Sequence, residues 1–275
     1  MPVDPSARIS PYAHVDPEAV IGPQCVIQDF CVVERDVVLG RACVLEPHVF
    51  IKRWTTLGDD NEISAGTALG TDPLEKGFTA DRSYLIIGHR NKIREHYTIS
   101  RGTKPESTTT IGNDNYIMTS GHVAHNSTVG NHCVIASCAL VAGYVEIEDQ
   151  VFISGGVVVH QFSRLGRLAM IAGNTRVNMD CAPYLTFAGY NGRPVGLNLV
   201  GLRRAGFARA DISAIKQSYK ILFGSGLNKD EALRRIESLD SQHASHIVNF
   251  IRKSKRSIAR PAKERASPEM DSDEN

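Results

Sequence analysis

This sequence of 275 residues predicts an all-β domain, a parallel β-helix wound as a triangular prism, followed by a small α-helical C-terminal domain. Three observations carry that expectation. An aliphatic residue recurs at every sixth position from Ile9 to Val177. A small residue stands two places before many of those stations. Beyond about Pro183 the period vanishes and helix-like spacing replaces it.

The period is dense. Of the 29 stations between positions 9 and 177, 26 are aliphatic, and only Glu75, Asp81 and Pro105 break the series. Neither the 3.6-residue period of a helix nor the alternation of an ordinary strand produces such a pattern. A solenoid does, in which each hexad supplies a short strand and a corner and three hexads close a coil of about 18 residues, for about nine to ten coils in all. The preceding small station holds Ala7, Ala13, Ala19, Cys25, Cys31, Cys43, Ser127, Cys133 and Ala139. Glycine often follows the aliphatic residue, as at Gly22, Gly40, Gly58, Gly88, Gly112, Gly130 and Gly166, and is expected to ease the bend there.

Two polar, turn-rich stretches interrupt the series without shifting its phase, near 72–84 and 102–109. They read as loops thrown out of the prism, a common place for binding residues. The prism is thus expected over 1–182 and the helical domain over 183–258. Ile212, Ile215, Tyr219 and Leu222 mark one buried stripe of that domain, and Gly224 and Gly226 its end. The polar tail at 259–275 is expected to be disordered.

Composition excludes several functional classes. Lys+Arg of 31 against Asp+Glu of 30 gives no general electrostatic reason to bind nucleic acid. No apolar run is long enough for a transmembrane segment, and the N-terminus MPVDPSARISPY lacks the apolar core of a signal peptide, so a cytoplasmic protein is expected. Four of the six cysteines fall on the small station, a packing role, and no C-x-x-C is present; no metal site is expected.

Chemistry concentrates around His125. Residues 18 apart stack in adjacent coils, which places His125, Gly143 and Gln161 in one column, Asn126, Tyr144 and Phe162 in the next, and His160 beside them. His122 lies half a hexad upstream. A histidine suits general-base work near neutral pH, a backbone N–H can stabilise an oxyanion, and a glycine allows close approach of substrate. Taken singly, a histidine of this kind is more often a surface or structural residue than a catalytic one; only the stacked combination brings the two readings level.

The stretch GHVAHNSTVG at 121–130, with AGY at 142–144, HQF at 160–162, IGHRNKIREHYTISRGT at 87–103 and GLNLVGLRRAGF at 196–207, resembles the acyl-ACP:UDP-N-acetylglucosamine O-acyltransferases that open lipid A biosynthesis. The resemblance spans residues 5–255. It implies a left-handed prism, as in other hexapeptide-repeat proteins, and a homotrimer with active sites in the clefts between subunits. It implies transfer of a 3-hydroxyacyl chain from acyl carrier protein to the 3-hydroxyl of UDP-N-acetylglucosamine, with the acyl thioester as co-substrate and no cofactor. His125 would be the general base and Gly143 N–H the oxyanion donor. Lys76, His122, Tyr144, His160, Gln161, Asn198 and Arg204 would bind substrate, with Arg204 facing the phosphates. Gly173 matches a position that sets acyl length.

Departures from that family's pattern cluster on the nucleotide-sugar side. Asn126 stands where Asp is usual, Tyr144 and Ser100 where histidine is frequent, Val200 where an acid occurs and Ala205 where a second base is common; the loop bearing Lys76 is one residue shorter. Asn126 can accept a hydrogen bond from the imidazole but brings no charge to stabilise imidazolium. A different acceptor, such as a 3-amino sugar, a catalytically silent homologue, and a metal-dependent hydrating enzyme using His122, His125 and His160 are the competing readings. Arg164, Arg167, Arg203 and Arg204 are the expected docking residues for an acidic carrier protein.

Overall fold

The computed structural model describes residues 3–262; part of the tail expected to be disordered, from residue 263 on, lies outside them. Between residues 8 and 177 the chain is a left-handed parallel β-helix. Its short strands, with two that follow residue 182, form three sheets of eleven, nine and eight strands among the described residues, which are the three walls of the prism. Successive coils pair in parallel with an 18-residue offset, as in Ile27 with Leu45 and Val123 with Val141. The two loops are accommodated in whole hexads: Ile63 pairs with Ile93, 30 positions on, and Ile99 with Val123, 24 positions on. That is why the aliphatic phase survives both interruptions. The inward stations form one continuous core, with Ile51, Ile135 and Leu165 at zero exposure. Each such side chain contributes roughly 1.5–3 kcal/mol by burial.

The corner is not made by glycine. In most hexads a left-handed residue lies three places after the aliphatic station and is usually not glycine: φ is 59° at Gln24, 60° at Phe30, 59° at Asn126 and 58° at Tyr144. The N–H of many of these corner residues donates to a carbonyl of the preceding coil, as Ala42 does to Pro23 (2.8 Å) and Tyr144 to His125 (3.0 Å), which offsets the steric cost of about 1–2 kcal/mol. The glycines after the aliphatic residue have a different reason. They stack directly on one another, and a Cβ on Gly22 would lie 2.5 Å from the carbonyl oxygen of Gly40. They permit coil-to-coil contact rather than the bend expected of them.

Beyond residue 182 the structure departs from a purely helical expectation. Strand Leu185–Ala188 adds in parallel to the eleven-stranded sheet, and Arg193–Leu197 returns antiparallel along it. Among the described residues four helices follow: α1 (Leu199–Arg204), α2 (Arg209–Gly224), α3 (Lys229–Glu237) and α4 (Gln242–Arg252). α2 buries Ile215 and Tyr219, and Gly226 turns out of it at φ 72°. The helices cover the last coils. Tyr219 Oη donates to Pro183 O (2.7 Å), and His246 Nε2 meets the Glu148 carboxylate at 2.8 Å. Within the stretch expected as tail, Ala259 is buried and its N–H donates to Asp180 O (2.9 Å), so the ordered chain runs past residue 258.

Candidate active site

His122 begins a two-residue strand of the nine-stranded sheet, and His125 follows at the corner where the chain turns toward the eight-stranded sheet. The stacked column is present. A Cβ at position 143 would lie 2.4 Å from Cε1 of His125, so the imidazole occupies space that only glycine leaves open. The N–H of the buried Gly143 donates to no partner among the described residues. In the neighbouring column Tyr144 stacks on Phe162 (5.0 Å between centroids) and meets His125 edge-on at 5.3 Å.

The hydrogen bonds assign a tautomer. Asn126 Oδ1 accepts from the backbone N–H of Thr103 (3.0 Å), a donor with no alternative role, so this atom is an acceptor. His125 Nδ1 lies 3.1 Å from the same oxygen and must therefore carry the proton. Nε2 is left with its lone pair, turned toward the projecting loop, where the Glu75 carboxylate stands 3.9 Å away. The 102–109 loop supports this arrangement from behind. Thr103 Oγ1 also donates to Asn126 Oδ1 (3.1 Å) and lies 3.2 Å from Tyr144 Oη. Thr109 Oγ1 accepts from Asn126 N (2.7 Å).

His122 is largely buried. Its Nδ1 pairs with Thr98 Oγ1 at 2.7 Å, while Nε2 is buried without a partner. Burial, with a smaller contribution from His125, holds its pKa below the ordinary histidine value. His160 and Gln161 stand at the same corner one coil beyond Gly143. The exposed His160 donates through Nδ1 to the carbonyl of Gln161 (3.1 Å), leaving its Nε2 as an acceptor. Along the nine-stranded face from His122 runs an apolar groove of about 590 Å³, floored by Leu140, Ala142 and Val158 and bordered by Leu74. Gly173 lies at the far corner of that face; a Cβ there would meet nothing nearer than Gly155 O at 3.5 Å, so the position is roomy.

Asn198 and Arg204 are not brought to this place. They line a separate cavity of about 630 Å³ with Phe152, Leu168 and Met170, on the eleven-stranded face. Asn198 caps α1 by accepting from Gly201 N (3.0 Å) and donates to Leu168 O (2.9 Å). Within one chain the predicted site is therefore split between two walls of the prism.

The family described as "Udp N-acetylglucosamine O-acyltransferase; Domain 2" matches residues 180–259, which include the hairpin and all four helices. The acyl-[acyl-carrier-protein]–UDP-N-acetylglucosamine O-acyltransferase of Nautilia profundicola is 42% identical over 205 residues, 74% of this chain and 79% of that protein. That of Gloeothece citriformis is 38% identical over 75% of each chain. The chain belongs to the acyl-[acyl-carrier-protein]–UDP-N-acetylglucosamine O-acyltransferase family. Among solved structures, the UDP-N-acetylglucosamine acyltransferase of Bacteroides fragilis superposes with a TM-score of 0.89 at 37% identity, covering 92% of this chain and 100% of that one. The Francisella novicida enzyme gives 0.84 at 32%, covering 95% of each.

In this acyltransferase the residues that depart from the family pattern have defined surroundings. Ser100 is buried and pairs with Thr71 Oγ1 (3.0 Å), while Val200 and Ala205 line the Asn198 cavity. Lys76 is exposed on the projecting loop next to Glu75. Arg164 and Arg167, two of the expected docking residues, are engaged within the chain. Arg164 is only 13% exposed, pairs with Glu146 (2.9 Å) and Phe250 O (3.0 Å), and lies over the Phe250 ring. Arg167 is tied to Gln150 Oε1 (3.1 Å). Both join the prism to its surroundings, whereas Arg203 and Arg204 are exposed.

Sequence reading missed Glu75, Arg101 and Thr103. Glu75 registered only as a break in the aliphatic series. Arg101 and Thr103 sit inside the motif SRGT, but nothing in the sequence says that Arg101 is buried. Among the described residues no helix is long and apolar enough to cross a membrane, and no three His, Cys, Asp or Glu side chains are grouped to hold a metal ion.

Proposed function

We propose that this acyltransferase moves a 3-hydroxyacyl chain from acyl carrier protein to the 3-hydroxyl of UDP-N-acetylglucosamine, the opening step of lipid A biosynthesis, with His125 as general base. The observation that carries the reading is the geometry of His125: Nδ1 is 3.1 Å from Asn126 Oδ1, which accepts, and the ring lies directly beside Gly143. Nε2 takes the proton of the acceptor hydroxyl as its oxygen attacks the thioester carbonyl. In this reading the Gly143 N–H donates to the resulting oxyanion. The carbon–sulfur bond then breaks, and the carrier-protein thiolate takes the proton back from Nε2. Products are the 3-O-acyl sugar nucleotide and the free carrier thiol; no cofactor or metal is consumed. The acyl chain fits the apolar groove over Leu140 and Val158, and the open space at Gly173 suits a long one.

The nucleotide side is assigned to a neighbouring copy in a homotrimer, whose Asn198 and Arg204 would face this His125 across a cleft. Support comes from the division of the site between two faces of one chain. His122, His160, Gln161, Tyr144 and Lys76 would contact the sugar from the His125 side. The six cysteines, all free thiols, suit a cytoplasmic setting.

The test is a mass-spectrometric transfer assay with 3-hydroxyacyl carrier proteins of several lengths and a panel of UDP-sugars that includes a 3-amino derivative. Wild type is expected to acylate UDP-N-acetylglucosamine, and His125→Ala to lose at least about 100-fold in rate. Product only with the amino sugar would reassign the acceptor. No product with any pair would overturn the reading.

A further inference from the structure

His125 must become positively charged when it takes a proton, yet its Nδ1 partner, Asn126, is neutral. Orientation is supplied there; charge is not. The titratable groups facing the ring are few: His122 from its own strand, Tyr144 from the next coil and Glu75 from the projecting loop. Glu75 alone is a carboxylate, and His125 makes no other ion pair among the described residues.

Its position is enforced. Arg101 is almost wholly buried, at 1% exposure, beneath that loop. It donates to the Asp72 carboxylate (2.7 Å) at the loop's start and to the Asp81 carbonyl (3.1 Å) near its end. Its guanidinium also lies 5.2 Å from the Phe78 ring and 4.7 Å from that of Trp54. Lys52 adds a second cation on Asp72 at 2.9 Å. A loop anchored at both ends on a buried arginine holds the segment between, including Glu75, over the His125 corner.

We propose that Glu75 is the charge partner of the His125 imidazolium, set against Nε2 by the Arg101-anchored loop, while Asn126 only orients the ring. Glu75 is thus a positioning and charge-stabilising residue, and its catalytic consequence rests on the acyl-transfer reading above. No bond to Glu75 forms or breaks. The carboxylate stays ionised, and the proton taken from the acceptor remains on Nε2 until the thiolate collects it.

Two measurements on the full-length protein test this. The first is an NMR titration of the His125 ring in wild type, Glu75→Gln, Asn126→Asp and the double variant, which needs no turnover. Removing Glu75 is expected to move the ring's titration to lower pH, because an opposite charge near 4 Å favours the protonated ring. The second is a kinetic cycle over the same four proteins. Glu75→Gln is expected to cut kcat about tenfold and move the acidic limb of the kcat/KM profile to lower pH. In the Asn126→Asp background, where a carboxylate already faces Nδ1, the same change should cost only about twofold. An unchanged His125 titration overturns the proposal, as does an equal loss in both backgrounds or an effect confined to the acceptor KM. If wild type turns nothing over while the titration shifts as expected, the ion pair stands and the acyl-transfer reading falls.

Discussion

An imidazole that accepts a proton at one nitrogen needs the other nitrogen's proton fixed, and at His125 that follows from an amide on a separate loop. Thr103 N–H makes Asn126 Oδ1 an acceptor, and Asn126 in turn makes Nδ1 a donor. The ring's position is set just as narrowly by the residue below it. Gly143→Ala would place a methyl 2.4 Å from Cε1 and force the imidazole aside. The φ of Gly143 is outside the left-handed region, so the backbone tolerates alanine. The expected outcome is a loss of about 100-fold in kcat with a shift in Tm of only a few degrees, read by transfer kinetics and calorimetry together. A large drop in Tm with kcat preserved in the folded fraction would contradict this account of the glycine. The histidine column was legible in the sequence because stacking follows from an 18-residue arithmetic. The hydrogen bonds that choose the tautomer were not, because they come from a loop with no period.

The projecting loops extend the same logic to larger pieces of chain. Each adds whole hexads to its coil, so the core beneath is unaware of it, and its position depends on anchors of its own. For the 72–84 loop the anchor is Arg101, held by hydrogen bonds and aromatic faces in a place where its charge has Asp72 as partner. Arg101→Met is expected to release the loop. kcat should fall about as far as in Glu75→Gln, and stability should drop by about 1–3 kcal/mol from the lost buried hydrogen bonds, since Asp72 is half exposed and keeps Lys52. Transfer kinetics and denaturant unfolding would show both; hydrogen exchange over 72–84 should rise. Unchanged exchange would mean that the loop is held elsewhere. The helical segment illustrates the limit of reading elements by period. Leu185–Ala188 and Arg193–Leu197 show no hexad signal, yet they continue the eleven-stranded sheet, because the end of the prism offers unpaired strand edges that any neighbouring chain can satisfy.

At the level of the entire protein, His125 lies at a corner of the nine-stranded wall and Arg204 lines a cavity on the eleven-stranded one, so the homotrimer reading draws one site from two chains. Variants defective on opposite halves should then complement. Co-expressed His125→Ala and Arg204→Ala chains, each nearly inactive alone, are expected to recover a substantial fraction of wild-type activity in mixed assemblies purified on two tags. No recovery, in assemblies shown by native mass spectrometry to contain both chains, would place the whole reaction within one chain.

The hexad alone settles the prism, its coil length and its inward core, since one aliphatic side chain per corner-to-corner step leaves no other way to bury so many. The candidate base and the glycine beside it follow from the same count. Charge, orientation and division of labour do not. Glu75 reaches His125 through a folded-back loop, Arg164 and Arg167 are taken up by contacts to Glu146, Phe250 and Gln150, and Asn198 lines a cavity on a different wall from the base. These depend on directions in space between segments far apart in the chain, and a one-dimensional period carries no information about direction once the repeat is interrupted.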